Sequence, residues 1–298
     1  MRKFAINHLL VLILGSAVLN GCTSQPGKTE VKYSFFVAGH TYGNPMDYQY
    51  GFHPPFAEAI PFLNDYPTLE LGVLTGDVVP KPEPVYWDSA LADIKKINVP
   101  VRIAPGNHDG GEEFTTRFGD RFHSSVFEDD LFIVLAPEQW KIKGDQLEFL
   151  KGSLEQYADS VNNVFVFCHE LIWWAPDNEY GGVNINYRPH YPGSINYWDE
   201  VHPLLDALSN PVYVFAGDVG CSPNVHAHMF DQQDNVALIA SGMGGRVDDN
   251  FLIVEVDQGG KASITMYRLG GETPTPDSRL QQFILPEFEC NQTSINAT

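Results

Sequence analysis

The sequence predicts a layered α/β fold built on a parallel or mixed sheet. Short apolar runs alternate with segments of helical periodicity, a rhythm that is typical of βαβ units. The chain has 298 residues, which suits one large domain or two small ones. A hydrophobic fraction of 43% supplies enough apolar side chains for a core. Several apolar runs also end in a polar residue that could bind a ligand, which predicts a site at one edge of the sheet.

The first third of the chain shows this alternation most clearly. Phe56–Leu63 has the apolar spacing of a helix, although Pro61 interrupts it. Tyr86–Ile97 is predicted to be an amphipathic helix, because its apolar side chains recur at helical spacing. A Gly or Pro follows each of the three apolar runs, which are predicted to be strands at Ser34–Ala38, Leu71–Thr75 and Val101–Ala104.

The rest of the chain continues the pattern. Helices are predicted at Asp145–Tyr157, whose apolar residues form one face, and at Val201–Leu208. Three late apolar runs are predicted to close the fold as an antiparallel set, since glycine-rich turns connect them: Val236–Ser241, Phe251–Val256 and Ala262–Tyr267. Further strands are predicted at Leu131–Ala136, Val164–Cys168 and Val212–Ala216.

Residues 171–200 interrupt this pattern with a long segment of little periodicity. The segment is rich in Trp, Tyr, Asn, Gly and Pro, and loops of this length are usually functional or disordered. Its aromatic content argues against disorder. The segment is therefore either the wall of a substrate cleft or a packed lid that touches no ligand. The candidate cleft residues are Trp173, Trp174, Tyr187, Arg188, His190, Tyr191 and Tyr197.

Five of the predicted strands end in side chains that can bind a metal or a phosphate. Because the carboxyl ends of parallel strands meet at one edge of a sheet, we expect these side chains to converge. Asn107, His108 and Asp109 follow the third strand and supply an amide oxygen, an imidazole and a carboxylate. A polar turn with local hydrogen bonds would also explain these three alone, but the recurrence favours a site. The other strand ends carry His40, Asp77, His169 and Asp218.

The charge of the chain restricts its partners. The formal net charge is −20, and a surface of this charge repels nucleic acid polymers and anionic membranes. An anionic substrate would have to be drawn in locally, most simply by a bound cation.

Three cysteines follow Cys22, namely Cys168, Cys221 and Cys290. An odd number excludes a fully paired disulfide framework. A disulfide between Cys168 and Cys221 and a pair of buried free thiols are both compatible with the sequence.

The N-terminus is predicted to be a targeting signal. Two basic residues precede an apolar run at Leu9–Leu19, which is too short to span a bilayer. The stretch Leu19-Asn20-Gly21-Cys22 resembles the lipobox of bacterial lipoproteins. That resemblance implies a signal peptide of residues 1–21 and lipidation of Cys22. A plain cleaved signal peptide is the alternative.

The lipoprotein resemblance also implies a location in the cell envelope. Thr23 occupies the position where an Asp would favour retention in the inner membrane, so the pattern implies a lipid anchor in the outer membrane, facing the periplasm or the cell surface. Residues 22–31 are then a short tether and residues 32–270 the domain. Residues 271–298 are polar and are predicted to be a loosely held tail.

The strand-end motifs occur in a specific order. Gly76-Asp77 precedes Gly106-Asn107-His108-Asp109 by about thirty residues, and a strand ending in His169 follows. This series resembles that of the calcineurin-like metallophosphoesterases, and the resemblance covers most of Ser34–Leu269. It implies a four-layer αββα sandwich with a two-metal site at the strand ends.

The resemblance implies a role for each matching residue. Asp77 would bridge two divalent metals, and Asn107 and His169 would bind the second metal. His108 would hydrogen-bond the phosphoryl or leaving-group oxygen, and Asp109 would orient it. The implied reaction is hydrolysis of a phosphate mono- or diester by a metal-activated hydroxide. A carboxylate, an amide oxygen and an imidazole suit Mn, Fe or Zn.

Two motifs depart from the family pattern. The chain has His40-Thr41-Tyr42-Gly43-Asn44 where the family has D-x-H-G-N, and Gly217-Asp218-Val219-Gly220 where it has G-H-x-H. His40 replaces the first Asp of one motif, and Asp218 replaces the first His of the other. One imidazole and one carboxylate are thus kept, so His40 and Asp218 are predicted metal ligands, with Tyr42 as a further candidate. We expect the second metal to bind and the first metal to bind weakly or not at all. The sequence therefore predicts one or two bound ions.

Two functions follow from these observations. The first is a phosphoesterase whose substrate is a phosphate ester, nucleotide-like or a sugar phosphate, selected by the aromatic segment. The alternative is a catalytically degenerate envelope lipoprotein that binds a glycan or a protein partner, since first-site ligands are lost and the segment offers an aromatic surface. His108 and Asp109 favour the enzyme, because a pure binder has less need of them.

Overall fold

The computed structural model describes residues 30–189, 193–245 and 247–287. Some predictions fall outside these residues and concern the signal peptide, most of the tether, Cys22, His190, Tyr191 and Cys290. Within the described ranges, no helix combines the length and the apolar character that crossing a membrane requires.

Twelve strands form in the described part of the chain. The nine strands predicted from apolar runs are confirmed, and three further strands were not predicted. In chain order the strands are β1 (Val31–Ala38), β2 (Leu69–Thr75), β3 (Val101–Ala104), β4 (His123–Phe127), β5 (Asp130–Val134), β6 (Val164–Phe167), β7 (Val212–Ala216), β8 (His228–Gln233), β9 (Val236–Ser241), β10 (Asn250–Asp257), β11 (Ala262–Arg268) and β12 (Thr275–Asp277).

Six α-helices form in the same described residues. They are α1 (Pro54–Glu58), α2 (Ile60–Asn64), α3 (Pro84–Ile94), α4 (Glu112–Phe118), α5 (Asp145–Tyr157) and α6 (His202–Asp206). The helix predicted over Phe56–Leu63 is divided into α1 and α2, because Pro61 lacks an amide hydrogen and occupies the first turn of α2. Helix α5 has the predicted bounds, whereas α4 was not predicted.

The strands form two six-stranded sheets rather than the single sheet expected from the strand ends. The strand orders are β12-β11-β10-β1-β2-β3 and β4-β5-β6-β7-β9-β8. Strands β1, β2 and β3 are parallel to one another, and so are β5, β6, β7 and β9. The five predicted strand ends are therefore divided between two sheets, three in the first and two in the second.

The predicted antiparallel set of three closing strands is wrong in part. Strands β10 and β11 pair antiparallel, as the turn at Gly259-Gly260 predicts. Strand β9 instead belongs to the second sheet, where it pairs parallel with β7 and antiparallel with β8. The glycine-rich segment after β9 therefore crosses between the sheets. An apolar run predicts a buried strand but does not encode its hydrogen-bonding neighbour.

Phenylalanine side chains fill the space between the two sheets. Phe35 of β1 packs edge-on against Phe132 of β5 and Phe165 of β6, with ring centroids 5.1 and 4.9 Å apart. Phe167 of β6 and Phe215 of β7 stack at 5.2 Å. All five are buried, and burial of each such side chain contributes about 1.5–3 kcal/mol. The inner faces of the two sheets thus form one core.

Helices cover the outer face of each sheet. Phe36 of β1 packs with Phe56 of α1 and Trp87 of α3 in the core of the first sheet's outer face. Leu150 of α5 and Leu205 of α6 lie in the corresponding core of the second sheet. The layers are therefore helices, sheet, sheet and helices, which confirms the four-layer αββα sandwich.

The segment after β11 differs from the loose tail that the sequence predicts. Strand β12 pairs with β11 at the edge of the first sheet, and Leu280 is buried between the sheets. Arg279 donates hydrogen bonds to the carboxylates of Asp277 and Asp248. A few specific contacts fix a segment of polar composition, so the domain extends beyond the predicted boundary.

Candidate metal centre

Strands β1 and β2 end in sharp turns that carry His40 and Asp77. Both residues have positive φ angles, 53° and 51°. Residues other than glycine rarely adopt such backbone angles unless the surrounding structure imposes them. The backbone amide of His40 donates to the Gly76 carbonyl at 3.0 Å, which connects the two turns. Asp77 is 2% exposed, so its carboxylate lies inside the protein.

Two glycines allow the strand ends to approach one another. A Cβ atom at Gly106 would clash with Oδ1 of Asp77, and one at Gly217 would clash with the carbonyl oxygen of Thr75. Any larger residue would push the strand ends apart. These glycines therefore set the spacing of the site.

Asp77, His169 and Asp218 form a buried cluster with the geometry of a metal site. One donor atom from each lies within 4.8 Å of the others. Nε2 of His169 is 3.3 Å from Oδ1 of Asp77 and 3.6 Å from Oδ1 of Asp218. The three residues follow β2, β6 and β7, so the cluster joins the ends of both sheets.

The donor atoms of this cluster are suited to a metal ion. Nδ1 of His169 donates to the Thr75 carbonyl at 2.9 Å, which places the lone pair of the neutral ring at Nε2. Within the described residues, Nε2 of His169 and Oδ2 of Asp218 have no hydrogen-bond partner. Buried polar atoms are rarely left unpaired. An imidazole and two carboxylates are ligands that Mn, Fe and Zn accept, so the residues fit a divalent metal.

The electrostatics of the cluster also favour a cation. Burial acts to lower the pKa of His169, but the carboxylates of Asp77 and Asp218 outweigh it and raise that pKa well above its usual value. Burial acts to raise the pKa of Asp77, but the imidazoles of His169 and His40 hold it below its usual value. Burial raises the pKa of Asp218 to about 6. A divalent cation would replace the His169 proton and stabilise both carboxylates.

The other oxygen of Asp77 faces His40. Nε2 of His40 is 3.6 Å from Oδ2 of Asp77, and Nδ1 of His40 donates to the Met243 carbonyl at 3.1 Å. Burial lowers the pKa of His40 to about 4, so the ring is neutral at physiological pH. His40 thus lies at Oδ2 of Asp77, whereas the cluster of His169 and Asp218 lies at Oδ1.

Tyr42 packs between two imidazole rings. Its ring centroid is 4.6 Å from that of His40 and 5.5 Å from that of His108. Burial raises the pKa of the Tyr42 hydroxyl well above its usual value, which disfavours the tyrosinate form that binds metals. The structure therefore does not favour Tyr42 as a metal ligand.

Asn107 lies at the rim of the site. It is exposed and lines a cavity of about 430 Å³ together with Gly106 and Glu170. The backbone amide of the neighbouring His108 donates to Oδ1 of Asp77 at 3.2 Å, so this loop contacts the cluster. The role of the Asn107 side chain as a ligand stays a prediction.

Asp109 does not orient the His108 ring, which corrects the role that the resemblance implies. Its Oδ1 accepts hydrogen bonds from the amides of Val78 and Val79 at 2.8 and 3.0 Å, and its Oδ2 accepts one from an amide of its own loop at 2.8 Å. Nδ1 of His108 instead donates to the Pro80 carbonyl at 2.8 Å. A buried carboxylate with three amide partners holds the loops after β2 and β3 together.

Trp173 and Trp174 do not line an open cleft, contrary to the cleft interpretation. They are 0% and 1% exposed and belong to the core on the outer face of the second sheet. Nε1 of Trp174 donates to the Val183 carbonyl at 2.9 Å. Arg188 is exposed, and its guanidinium lies 5.8 Å from the centroid of the Trp174 ring. Burying large apolar rings stabilises the fold, so the packed interpretation describes the tryptophans.

An open cavity of about 630 Å³ lies on the His40 side of the site. Its lining includes His40, Tyr42, His53 and Lys81. Nε2 of His53 lies 2.7 Å from Oδ2 of Asp249, and both residues are buried. This cavity is therefore walled by these residues and not by the tryptophans of residues 171–200.

Glu170 is a buried polar residue of the site that the sequence argument missed. Burial raises the pKa of its carboxyl to about 7. Its position directly after His169 in the sequence was the available signal.

Cys168 and Cys221 are free thiols, so the predicted alternative of a disulfide between them is wrong. Cys168 is buried, whereas Cys221 is half-buried. Sγ of Cys168 is 3.3 Å from the Glu170 carbonyl. Burial raises the pKa of the Cys168 thiol well above its usual value.

No family model and no curated protein matches the sequence. Among solved structures, the chain is similar to purple acid phosphatase PPD1 from yellow lupin (Lupinus luteus) seeds, with a TM-score of 0.58 and 14% sequence identity. The chain has the calcineurin-like phosphoesterase fold. The likeness covers 82% of this chain and 52% of the lupin protein, so the chain spans about half the length of that phosphatase.

A weaker likeness is to Vps29 of Chaetomium thermophilum, with a TM-score of 0.39 and 10% identity over 83% of this chain and 93% of that one. A TM-score this low supports no argument about the fold.

Proposed function

We propose that this protein is a metal-dependent phosphoesterase that hydrolyses a phosphate mono- or diester. The observation that carries the proposal is the buried cluster of Asp77, His169 and Asp218, which has unpaired donor atoms at the strand ends of a phosphoesterase fold. A bound Mn, Fe or Zn ion would supply an activated water and neutralise charge on the phosphoryl group.

The residues beside the cluster are suited to bind the phosphoryl group. The Pro80 carbonyl fixes the ring of His108 through Nδ1, which leaves Nε2 to contact a phosphoryl or leaving-group oxygen. The His108 amide holds Oδ1 of Asp77 in place. Asp109 keeps the two loops at a fixed separation through its three backbone amide partners.

We propose one tightly bound ion rather than two. Asp77, His169 and Asp218 supply three buried donors at one position. The position at Oδ2 of Asp77 has one further nitrogen donor, Nε2 of His40, and Tyr42, whose hydroxyl keeps its proton. A second ion would need ligands from water or substrate.

The alternative of a non-catalytic binding protein loses one of its two supports. The aromatic surface proposed for it included Trp173 and Trp174, and both are buried in the core. The other support, the loss of first-site ligands, remains, but the buried cluster at Oδ1 of Asp77 keeps one candidate metal position. The phosphoesterase therefore stands as the better supported function.

Metal content and turnover test the proposal together. The purified protein, expressed with Mn, Fe or Zn, is analysed by elemental mass spectrometry and assayed with 4-nitrophenyl phosphate and bis(4-nitrophenyl) phosphate. We expect one ion per chain and a turnover that a chelator abolishes and added metal restores. The matched control is Asp159→Asn, a change at an exposed aspartate, which should keep both. If the protein bound the metal but turned over neither ester, it would be a metal-binding protein, and the proposed enzymatic function would be contradicted.

We also propose that the protein acts in the cell envelope as a lipid-anchored protein of the outer membrane. The lipobox-like stretch that ends at Cys22 supports this location. Replacing Cys22 with Ser should move the protein from the membrane fraction to the soluble fraction, and an unchanged distribution would contradict the anchor.

A further inference from the structure

The cavity of about 430 Å³ borders the metal cluster directly. Gly106, which lines it, is packed so closely that a Cβ atom there would clash with Asp77 and contact the ring of His169. Apart from Gly106 and Pro137, every lining residue has a side chain that can form hydrogen bonds. They are Asn107, Arg121, Glu138, Gln139, Lys143 and Glu170.

Glu170 is the buried acceptor of this cavity. It is 7% exposed, and within the described residues its Oε2 has no hydrogen-bond partner. It does not belong to the cluster of Asp77, His169 and Asp218, so it is not one of the three candidate metal ligands. An unpaired carboxylate oxygen in a buried position is costly, so a ligand group that donates a hydrogen bond to it would bind favourably.

Arg121 supplies the complementary donor. Its Nε is buried and has no hydrogen-bond partner among the residues that the structure describes. The other charged side chains of the cavity, Lys143 and Glu138, face each other at 3.9 Å and largely compensate each other. Glu170 and Arg121 thus line the cavity with an acceptor side chain and a donor side chain. This pair matches hydroxyl groups, which donate and accept hydrogen bonds.

We propose that this cavity binds the hydroxyl-bearing part of the substrate, so that the substrate is the phosphate ester of a sugar or polyol, and that Glu170 determines this specificity. The inference rests on the proposed phosphoesterase function. A leaving group without hydroxyls would leave Oε2 of Glu170 unpaired, and a site built to hydrogen-bond a hydroxyl discriminates strongly against an analogue that lacks it.

The first test compares two esters. Glucose 1-phosphate carries hydroxyls next to its phosphate, whereas phenyl phosphate has none. In Glu170→Leu, the ratio of kcat/KM for glucose 1-phosphate to that for phenyl phosphate should fall by about tenfold or more. Glu170→Gln, which keeps one acceptor oxygen, should lower the ratio less, and Glu155→Leu on the exposed surface of α5 should not change it. Equal losses on both esters would show a merely structural role and overturn the proposal.

A binding measurement keeps this inference separate from the proposed function. If the metal-loaded protein turns over neither ester, calorimetry compares its affinity for glucose 1-phosphate with that for inorganic phosphate. The proposal expects tighter binding of the sugar ester and a loss of that preference, by about tenfold, in Glu170→Leu. A wild-type protein that does not prefer the sugar ester, or a Glu170→Leu variant that keeps the preference, would overturn it.

Discussion

The two sides of Asp77 differ in what they offer a metal ion. At Oδ1 lie His169 and Asp218, which are buried and present donor atoms that the described residues leave unpaired. At Oδ2 lie His40, which offers one neutral nitrogen donor, and Tyr42, whose hydroxyl is protonated at physiological pH. We therefore propose that Asp218 completes one metal position and that His40 does not rebuild the other.

The total number of metal-binding side chains in a site does not say how many of them lie at each metal position. The motifs keep one imidazole and one carboxylate, but the carboxylate contributes only to the Oδ1 side. A buried divalent cation needs nearby negative charge to offset its desolvation. The Oδ1 side has two carboxylates for this purpose, and the Oδ2 side has only the one that it shares.

The largest effect is expected from the residue that both sides share. Asp77→Asn removes its negative charge, so metal affinity should fall by about 100-fold or more and turnover with it. Competition with a chelating indicator measures the affinity, and Asp159→Asn is the control at an exposed aspartate. Wild-type affinity in Asp77→Asn would place the metal elsewhere in the protein.

Asp218→Asn tests the Oδ1 side alone. The variant keeps an oxygen donor but loses one of the two charges, so we expect a loss of metal affinity of about 10- to 100-fold. The same competition assay measures it. If Asp218→Asn kept the wild-type metal affinity and His40→Asn lost it, the metal position would lie at Oδ2 of Asp77 rather than at Oδ1.

Asp109→Asn tests the hydrogen bonds that hold the loops after β2 and β3 together beside the site. The amide group of Asn can accept the hydrogen bonds of Val78 and Val79 through its oxygen, but its NH₂ group then meets the third amide, a donor. The unpaired amide should lower the free energy of unfolding by about 1–3 kcal/mol. Urea unfolding of the metal-free protein checks this, and a midpoint equal to that of Asp159→Asn would show that the three hydrogen bonds contribute little.

The smallest effect is expected on the Oδ2 side. His40→Asn removes an imidazole that belongs to no complete donor set, so metal content should stay at one ion per chain by elemental mass spectrometry. A wild-type protein with two ions that drops to one in His40→Asn would show that the Oδ2 side is a second metal position after all.

Much of the site followed from short sequence patterns. Asp77, His169 and Asp218 follow apolar runs, either directly or after one glycine, and they lie close together in the structure. Their roles as metal ligands stay predictions. The resemblance to the calcineurin-like metallophosphoesterases also implied the layers of the sandwich, which the structure confirms. By contrast, strands such as β4 and β8 are polar or half-exposed, and they form through hydrogen bonds to the next strand rather than through an apolar pattern.

Residues 171–200 show where local patterns fail. Composition identified an aromatic segment but left open whether its rings line a cleft or fill a core. The answer for Trp173 and Trp174 depends on the outer face of the second sheet, which is built from strands distant in the chain. The partners of Asp109 and the unpaired oxygen of Glu170 depend in the same way on segments that only the fold brings near.

For the nine apolar strands, the sequence by itself determined where the strands end and which side chains reach the edge of the sandwich, because an apolar run and the Gly or Pro that ends it are local features. The tertiary structure alone decided which oxygen of Asp77 faces each exchanged ligand, which amides Asp109 binds and which cavity adjoins the cluster. These features are distances between residues far apart in the chain, and the packing of two sheets fixes them.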